Sequence, residues 1–396
     1  MASTFGVTWS SFLIRVGIRT LRVGSWVTLL ALPLHGEAGH LKAQDASWIV
    51  SDTASLSISG AGSGPGADFF WVVGALRLED DRIVVAERDA RLSLFDDRGN
   101  HLARMGRRGE GPGEFSLIYR IQRLANDSIL VADFRNRRRL SWFTADGDFA
   151  RSITNSFSPV PEFLGVLADG TWVGAIHHAP PAGTYRSSDE AQWGRGQLEL
   201  IRFDARGERV SSLGTFPGPW DIVIPDLPVL RLEGWRSPVP QTLALVGPQQ
   251  LYVAPSSSSE VRVFRLAGPD SEVWALERSV PRRLTQDLLI GHLSRYPGLQ
   301  GRIDLSAIRW SIPEDISLAT VTDLLLDSDG NLWVEEASKS TVDRAVWSVF
   351  TPGGRVTATM PLDFRPFTIE RESVLGVWRD AYDVEYVQSR AIVRVP

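Results

Sequence analysis

Gly62-Ser63-Gly64-Pro65-Gly66 recurs one unit later as Gly109-Glu110-Gly111-Pro112-Gly113, and each copy leads through an aromatic residue into an apolar, strand-like run. Self-similarity at a spacing of about 40–50 residues marks a repeat architecture, in which each unit buries its apolar faces only by stacking on its neighbours. Outward from these two turns, one pattern returns six times: an apolar run, a polar turn, a short strand, a second turn and two further strands. Its clearest part is the turn with the second strand. This reads Asp81-Arg-Ile83-Val-Val-Ala86, Asp127-Ser-Ile129-Leu-Val-Ala132, Asp169-Gly-Thr-Trp172-Val-Gly174, Gln250-Leu251-Tyr-Val-Ala254, Asp329-Gly-Asn-Leu332-Trp-Val334 and Ser373-Val374-Leu-Gly-Val377. Asp-Gly and Asn-Asp ahead of such runs are hairpin chemistry, because these residues tolerate the positive φ of a tight turn.

Third strands follow as Arg91–Phe95, Arg139–Phe143, Leu200–Phe203, Val261–Phe264 and Val346–Phe350, most of them alternating apolar with polar residues. Four-stranded units repeated six times predict an all-β fold, a six-bladed β-propeller. Its closure is predicted as well. Ser55–Ser59 precedes the first Gly-Pro-Gly turn as a fourth strand lacking the first three, whereas Pro366–Arg371, Val374–Trp378 and Val384–Val395 give only three strands at the C-terminus. An N-terminal strand completing the last blade leaves no open sheet edge.

The long intervals from Trp172 to Leu251 and from Leu251 to Leu332 require insertions. His178–Gln197, rich in Pro, Gly and Ser, reads as a surface loop, and a second insertion, Gly214–Ser237, carries Pro and Trp. In the stretch 281–310, Leu284, Leu288, Leu289 and Leu293 have the spacing of a short amphipathic helix that Pro297 ends.

Composition bounds the function. The 396 residues carry 42 basic and 47 acidic side chains, a net charge of −5, so no global field favours nucleic acid. The chain has no cysteine, which removes disulfides, thiolate metal sites, a Cys nucleophile and an N-terminal lipidated Cys. Arg15, Arg19 and Arg22 precede the apolar stretch Val23–Leu34, which is short of the roughly 20 residues needed to span a bilayer. This pattern predicts a signal peptide over 1–43, the propeller over 44–396, and export to the periplasm or beyond.

Gly106-Arg-Arg-Gly-Glu-Gly-Pro-Gly-Glu-Phe115 resembles the linker between NHL repeats. Val131-Ala-Asp133-Phe-Arg-Asn136-Arg-Arg-Arg-Leu140-Ser-Trp-Phe143 resembles the core of that repeat, one residue longer, and Glu87, Asp89, Arg91-Leu92 and Phe95 echo it in blade one. Asp329–Val334 and Leu375–Asp380 are similar to bacterial exported six-bladed propellers of unassigned role. The resemblance implies the fold. It implies function weakly, since propellers host binders, lyases and hydrolases alike.

In such a fold, the loops after second strands and those between blades share one face, here the top face. Glu87, Asp133, His177-His178, Glu335-Glu336 and Arg379-Asp380 fall at or just past second-strand ends. Gathered at the channel mouth, Glu87, Asp133, His177, Glu335 and Asp380 could hold a divalent cation such as calcium and support a lactonase-like hydrolase or lyase. Read blandly, they are turn residues on a solvated rim. The amidating-lyase relatives of NHL propellers carry Cys, which is absent here. No Gly-x-Ser-x-Gly or His-Glu-x-x-His signature occurs, and the Gly-Pro-Gly turns lack the helix and Lys of a phosphate loop.

The densest basic run is Arg135, Arg137, Arg138 and Arg139. Alternation predicts that one or two of these arginines pair with nearby acids. The expectation is a monomeric, cofactor-free binding or scaffold module. It would recognise a protein or a small polar ligand, not nucleic acid, through Arg107, Arg108, Glu110, Arg135, Asn136 and Arg137 on the top face.

Overall fold

The computed structural model describes residues 47–59, 68–134, 139–154, 157–181, 184–185, 190–224, 229–232, 237–258, 260–266, 271–275, 283–294, 299, 304–337 and 345–395. The expected signal peptide, the first Gly-Pro-Gly turn, Pro297 and the binding candidates Arg135, Asn136 and Arg137 lie outside them. Among the described residues, no helix is long and apolar enough to cross a membrane.

Six antiparallel sheets follow one another along the chain as blades. Blade one is Val72–Arg77, Ile83–Glu87, Arg91–Phe95 and His101–Arg104, and blade two is Ile118–Arg123, Ile129–Asp133, Leu140–Phe143 and Phe149–Ile153. Blade three begins with Glu162–Val166 and Trp172–His178, blade four with Thr242–Val246 and Gln250–Pro255, and blade five with Val321–Leu326 and Leu332–Glu336. Blade six combines Arg365–Ile369, Ser373–Arg379 and Glu385–Val395 with the N-terminal strand Ser47–Ile58. The closure strand is longer than expected, running antiparallel from Ser47↔Val395 to Ile58↔Val387. First strands of neighbouring blades touch around a ring that closes between blades six and one. Side chains bridge them where no ladder does: Gln122 exchanges hydrogen bonds with the Val166 backbone, and Thr368 Oγ1 donates to Ala75 C=O at 2.8 Å.

Second strands are buried on both faces, which explains their unbroken apolar runs. Ile83 and Val85 pack toward blade six with Ile58, Leu375 and Val387, whereas Val84 and Ala86 pack toward blade two with Ile121, Ile129 and Val131. The next blade repeats this division, with Ile129 and Val131 facing back and Leu130 and Ala132 facing Phe163 and Trp172. The hairpin chemistry holds too: Asp81 and Asp127 adopt φ of 66° and 58°.

Blade three departs from the expected four strands. Its third and fourth strands, Gln192–Phe203 and Arg209–Val223, form a long outer hairpin, and Leu230–Leu232 adds a fifth strand. The end of the expected surface loop, Gln192–Gln197, is therefore ladder, as is the Gly214–Val223 part of the second insertion, despite Gly214, Pro217 and Gly218. The short helix is present as Gln286–Leu293, N-capped by Thr285. Its Leu289 and Leu293, with Leu284, pack on Ile222, Ile224 and Leu232, so it covers the extended hairpin of blade three.

Candidate functional site

Two of the acids at second-strand ends, Glu87 and Asp133, are buried fasteners of the loops that enter their blades. Glu87 is 1% exposed; its Oε1 accepts the Phe70 N–H at 2.7 Å and lies 2.6 Å from Arg91 Nη2. Burial pushes its carboxyl up to about 7, while the Phe70 N–H and the Arg91 charge pull the other way. Asp133 repeats the arrangement one blade on: Oδ2 accepts the Ser116 N–H at 2.6 Å and Oδ1 the Leu117 N–H at 3.2 Å. A main-chain bond accompanies each clamp, from Arg88 N–H to Trp71 C=O and from Phe134 N–H to Leu117 C=O. Blade four keeps the same bond without the acid, from Ser256 to Gln241, and blade five keeps it from Ala337 to Thr320 with Glu336 at the equivalent position accepting from Ser348 Oγ instead.

The remaining candidates have other partners. Glu335 is fully buried and its Oε2 accepts from Thr322 Oγ1 at 2.9 Å. His177 Nε2 lies 3.2 Å from Glu162 Oε2, and His178 Nε2 lies 3.2 Å from Glu199 Oε2. Asp380 caps its turn by accepting the Val384 and Tyr382 N–H groups, which hold its carboxyl below the usual range. Among the described residues, no three His, Cys, Asp or Glu side chains gather as a metal-binding group.

Of the basic candidates, Arg107 and Arg108 are exposed, as is Glu110, and Arg107 Nε reaches Glu114 Oε1 at 2.5 Å. Arg139, the described member of the arginine run, is buried. Its guanidinium bonds backbone carbonyls, with Nη1 donating to Glu110 and Gly111 and Nη2 to Glu114. While the other three arginines of the run lie outside the described residues, Arg139 bonds carbonyls in place of an acid and pins the Gly-Pro-Gly turn. That turn needs glycine. At Gly113, φ is +71°, and a Cβ at Gly106, where φ is +69°, would lie 2.5 Å from the Gly113 carbonyl oxygen.

Two features escaped the sequence reading. The first is an aromatic group on the top face of blades six, one and two. Phe70 is 68% exposed, Phe134 48% and Tyr382 88%, with Val384 at 45%. Trp71, at φ 62°, carries the Arg88 guanidinium 4.5 Å from its ring centre. The Tyr382 turn adjoins the Phe70 loop, because Phe69 bridges Glu385 and Glu385 Oε2 accepts the Val72 N–H at 2.7 Å. A signal for this was present: three consecutive aromatics, Phe69 to Trp71, cannot all face a core along an extended chain. The second is a charged group on first strands. Burial and the neighbouring Glu335 push Asp323 up to about 6, against the opposing charges of Arg365 and Arg120 from blades six and two.

Residues 69–165 match a family described as 6-bladed beta-propeller. That segment spans blades one and two and the start of blade three. No curated protein matches the chain in sequence. The crystal structure of a member of the duf4221 family from Bacteroides vulgatus is similar at TM-score 0.51 and 10% identity, covering 88% of this chain and 99% of that one. A Bacteroides fragilis protein named as an inferred exported protein gives TM-score 0.49 at 11% identity, covering 89% and 96%. Virginiamycin B lyase from Staphylococcus aureus gives 0.41 at 8%, covering 88% and 100%. At 10% identity, the likeness to the duf4221 protein is one of fold alone.

Proposed function

We propose that this propeller is an exported binding module that docks a protein partner on its top face, over blades six, one and two. The observation that carries the reading is the exposed residues Phe70, Trp71, Phe134 and Tyr382, with Arg88 over the Trp71 ring and exposed Arg107, Arg108 and Glu110 on the segment joining blades one and two. Aromatic anchors within a charged rim are the anatomy of a protein-binding surface, where a few Trp, Tyr and Arg residues supply most of the affinity. The burial of Glu87 and Asp133 beneath the same loops supports binding over metal chemistry, since both carboxylates already hold backbone N–H groups. Export of the chain rests on its basic and apolar N-terminus.

The experiment is a pull-down from the envelope and culture fluid with the intact protein and with a Phe70→Ser/Tyr382→Ser double variant. Both side chains are exposed, so the melting temperature should stay put while a specific partner is lost. Retention of every partner by the variant would move the contact surface elsewhere.

A further inference from the structure

We propose that the aromatic loop Phe69–Val72 is a pH-responsive element, locked in place when Glu87 carries a proton and loosened when it does not. That the loop docks a partner rests on the reading above; that it is locked by a proton does not. Two buried carboxylates from different blades hold the loop from beneath. Glu87 Oε1 accepts the Phe70 N–H and Glu385 Oε2 accepts the Val72 N–H, both at 2.7 Å. Between them Trp71 is kept at φ 62°, a left-handed conformation that is costly for a bulky side chain. Arg88 ties down the same residue: its N–H donates to the Trp71 C=O at 3.0 Å, and its guanidinium carbon lies 4.5 Å from the ring centre. Strain favours release and the clamps oppose it, so a change of charge at a clamp acts directly on the balance.

The charges around Glu87 do not make up for its burial. Arg91, on the third strand, lies 2.6 Å from Glu87 Oε1 but also pairs with Asp89 and donates to the Asp68 C=O. Asp89 in the turn and Glu385 on blade six are like charges, and Arg379 is engaged by Glu385 and Asp383. Burial beneath the loop pushes the Glu87 carboxyl up to about 7; Asp89 and Glu385 add to the rise, against the Phe70 N–H and Arg91. A protonated Glu87 still accepts from Phe70 through its carbonyl oxygen and leaves no charge under the loop. Lifting the loop returns the carboxyl to water and to its ordinary value of 4.5, so the locked form holds the proton more tightly. The locking is therefore complete below pH 4.5 and is lost as pH rises to about 7. A partner that needs the loop in its locked shape binds more tightly on the acid side, where less ordering is left to be done.

The test is amide hydrogen exchange of the intact protein, followed by NMR from about pH 5 to 8 and corrected for intrinsic rates; it needs no partner. Protection of the Phe70 and Val72 amides should fall about tenfold per pH unit between about pH 5 and 7, because opening releases one proton, and level off above that. Glu87→Gln keeps an acceptor for Phe70 and cannot ionise, so its protection should be flat across the range. Arg91→Gln removes the opposing positive charge and should move the levelling-off to higher pH. If Glu87→Gln does not fold, that shift decides. Three results would each overturn the proposal: native protection that is flat or rises with pH, a fall that persists in Glu87→Gln, or a levelling-off that Arg91→Gln leaves in place. None of them would bear on the docking surface itself, which the pull-down tests separately.

Discussion

Glu385 Oε2 accepts the backbone N–H of Val72 at 2.7 Å, joining the last strand of blade six to the first strand of blade one. Its other oxygen is held by Arg379, with Nη2 at 2.6 Å and Nε at 3.1 Å. Removing Glu385 leaves the buried Val72 N–H without an acceptor while the half-exposed Arg379 can turn to water, which costs about 1–3 kcal/mol. Glu385→Ala should therefore lower stability by about that much, whereas Glu385→Gln, which can still accept from Val72, should lose less. Urea unfolding measures the difference. Hydrogen exchange should place the loosened amides in Ser47–Ile58 and around Val72.

Glu87 and Asp133 are fasteners, so their removal is a stability effect. Asp133→Ala strands the Ser116 and Leu117 N–H groups and should cost about 2–4 kcal/mol. Asp133→Asn offers one acceptor in place of two and should fall between. Melts with and without calcium separate this from ligation. The deficit should be the same in both, and a calcium-dependent rise that Asp133→Ala abolishes would make Asp133 a ligand.

Asp323 gives a pH dependence with a definite sign. Its carboxyl is raised from 3.8 to about 6, so the folded protein holds this proton more tightly than the unfolded chain does. The resulting stabilisation is complete below about pH 4 and is lost as pH rises through about 6. Asp323→Asn should match the native protein near pH 4 and exceed it by about 1–3 kcal/mol above pH 7. A gap that narrows toward high pH would reverse the assignment. Unfolding midpoints across that range read it directly.

The fold was legible because propeller strands announce themselves. Ile83–Ala86 and Ile129–Ala132 are unbroken apolar runs, since each faces a neighbouring blade on both sides, and Asp81 and Asp127 mark the turns before them. The closure was legible because a strand without a blade at one end matched a blade short of a strand at the other. Blade three was not. Gly214, Pro217 and Gly218 break the strand pattern, yet they lie on an outer strand whose ladder is tolerant of them, and the segment around Leu289 covers it.

The candidate site was legible in position and misread in character. Glu87 and Asp133 do sit at strand ends on the top face. A second-strand end is roofed by the incoming loop, though, and that burial depends on a chain segment far away in sequence. Phe70 and Tyr382 failed for the converse reason. An aromatic beside a strand reads as core, and only the closed ring shows which of them the neighbouring blades leave uncovered.

Everything on the top face depends on the two ends of the chain meeting, because only then do blades six and one stand side by side. Ile49 and Val393 are opposite one another in the closure ladder, and both are more than half exposed, at 53% and 52%. The sequence contains no cysteine, so an Ile49→Cys/Val393→Cys variant introduces a single possible pair. Directly opposed strand residues have Cβ atoms about 4.5–5.5 Å apart, near enough for a disulfide to form with slight adjustment. Mild oxidation should give an intramolecular bond in nearly every molecule, seen as a faster-migrating non-reduced band with a raised unfolding midpoint. Free thiols after oxidation, or disulfides only between molecules, would contradict the closed ring and the face built on it.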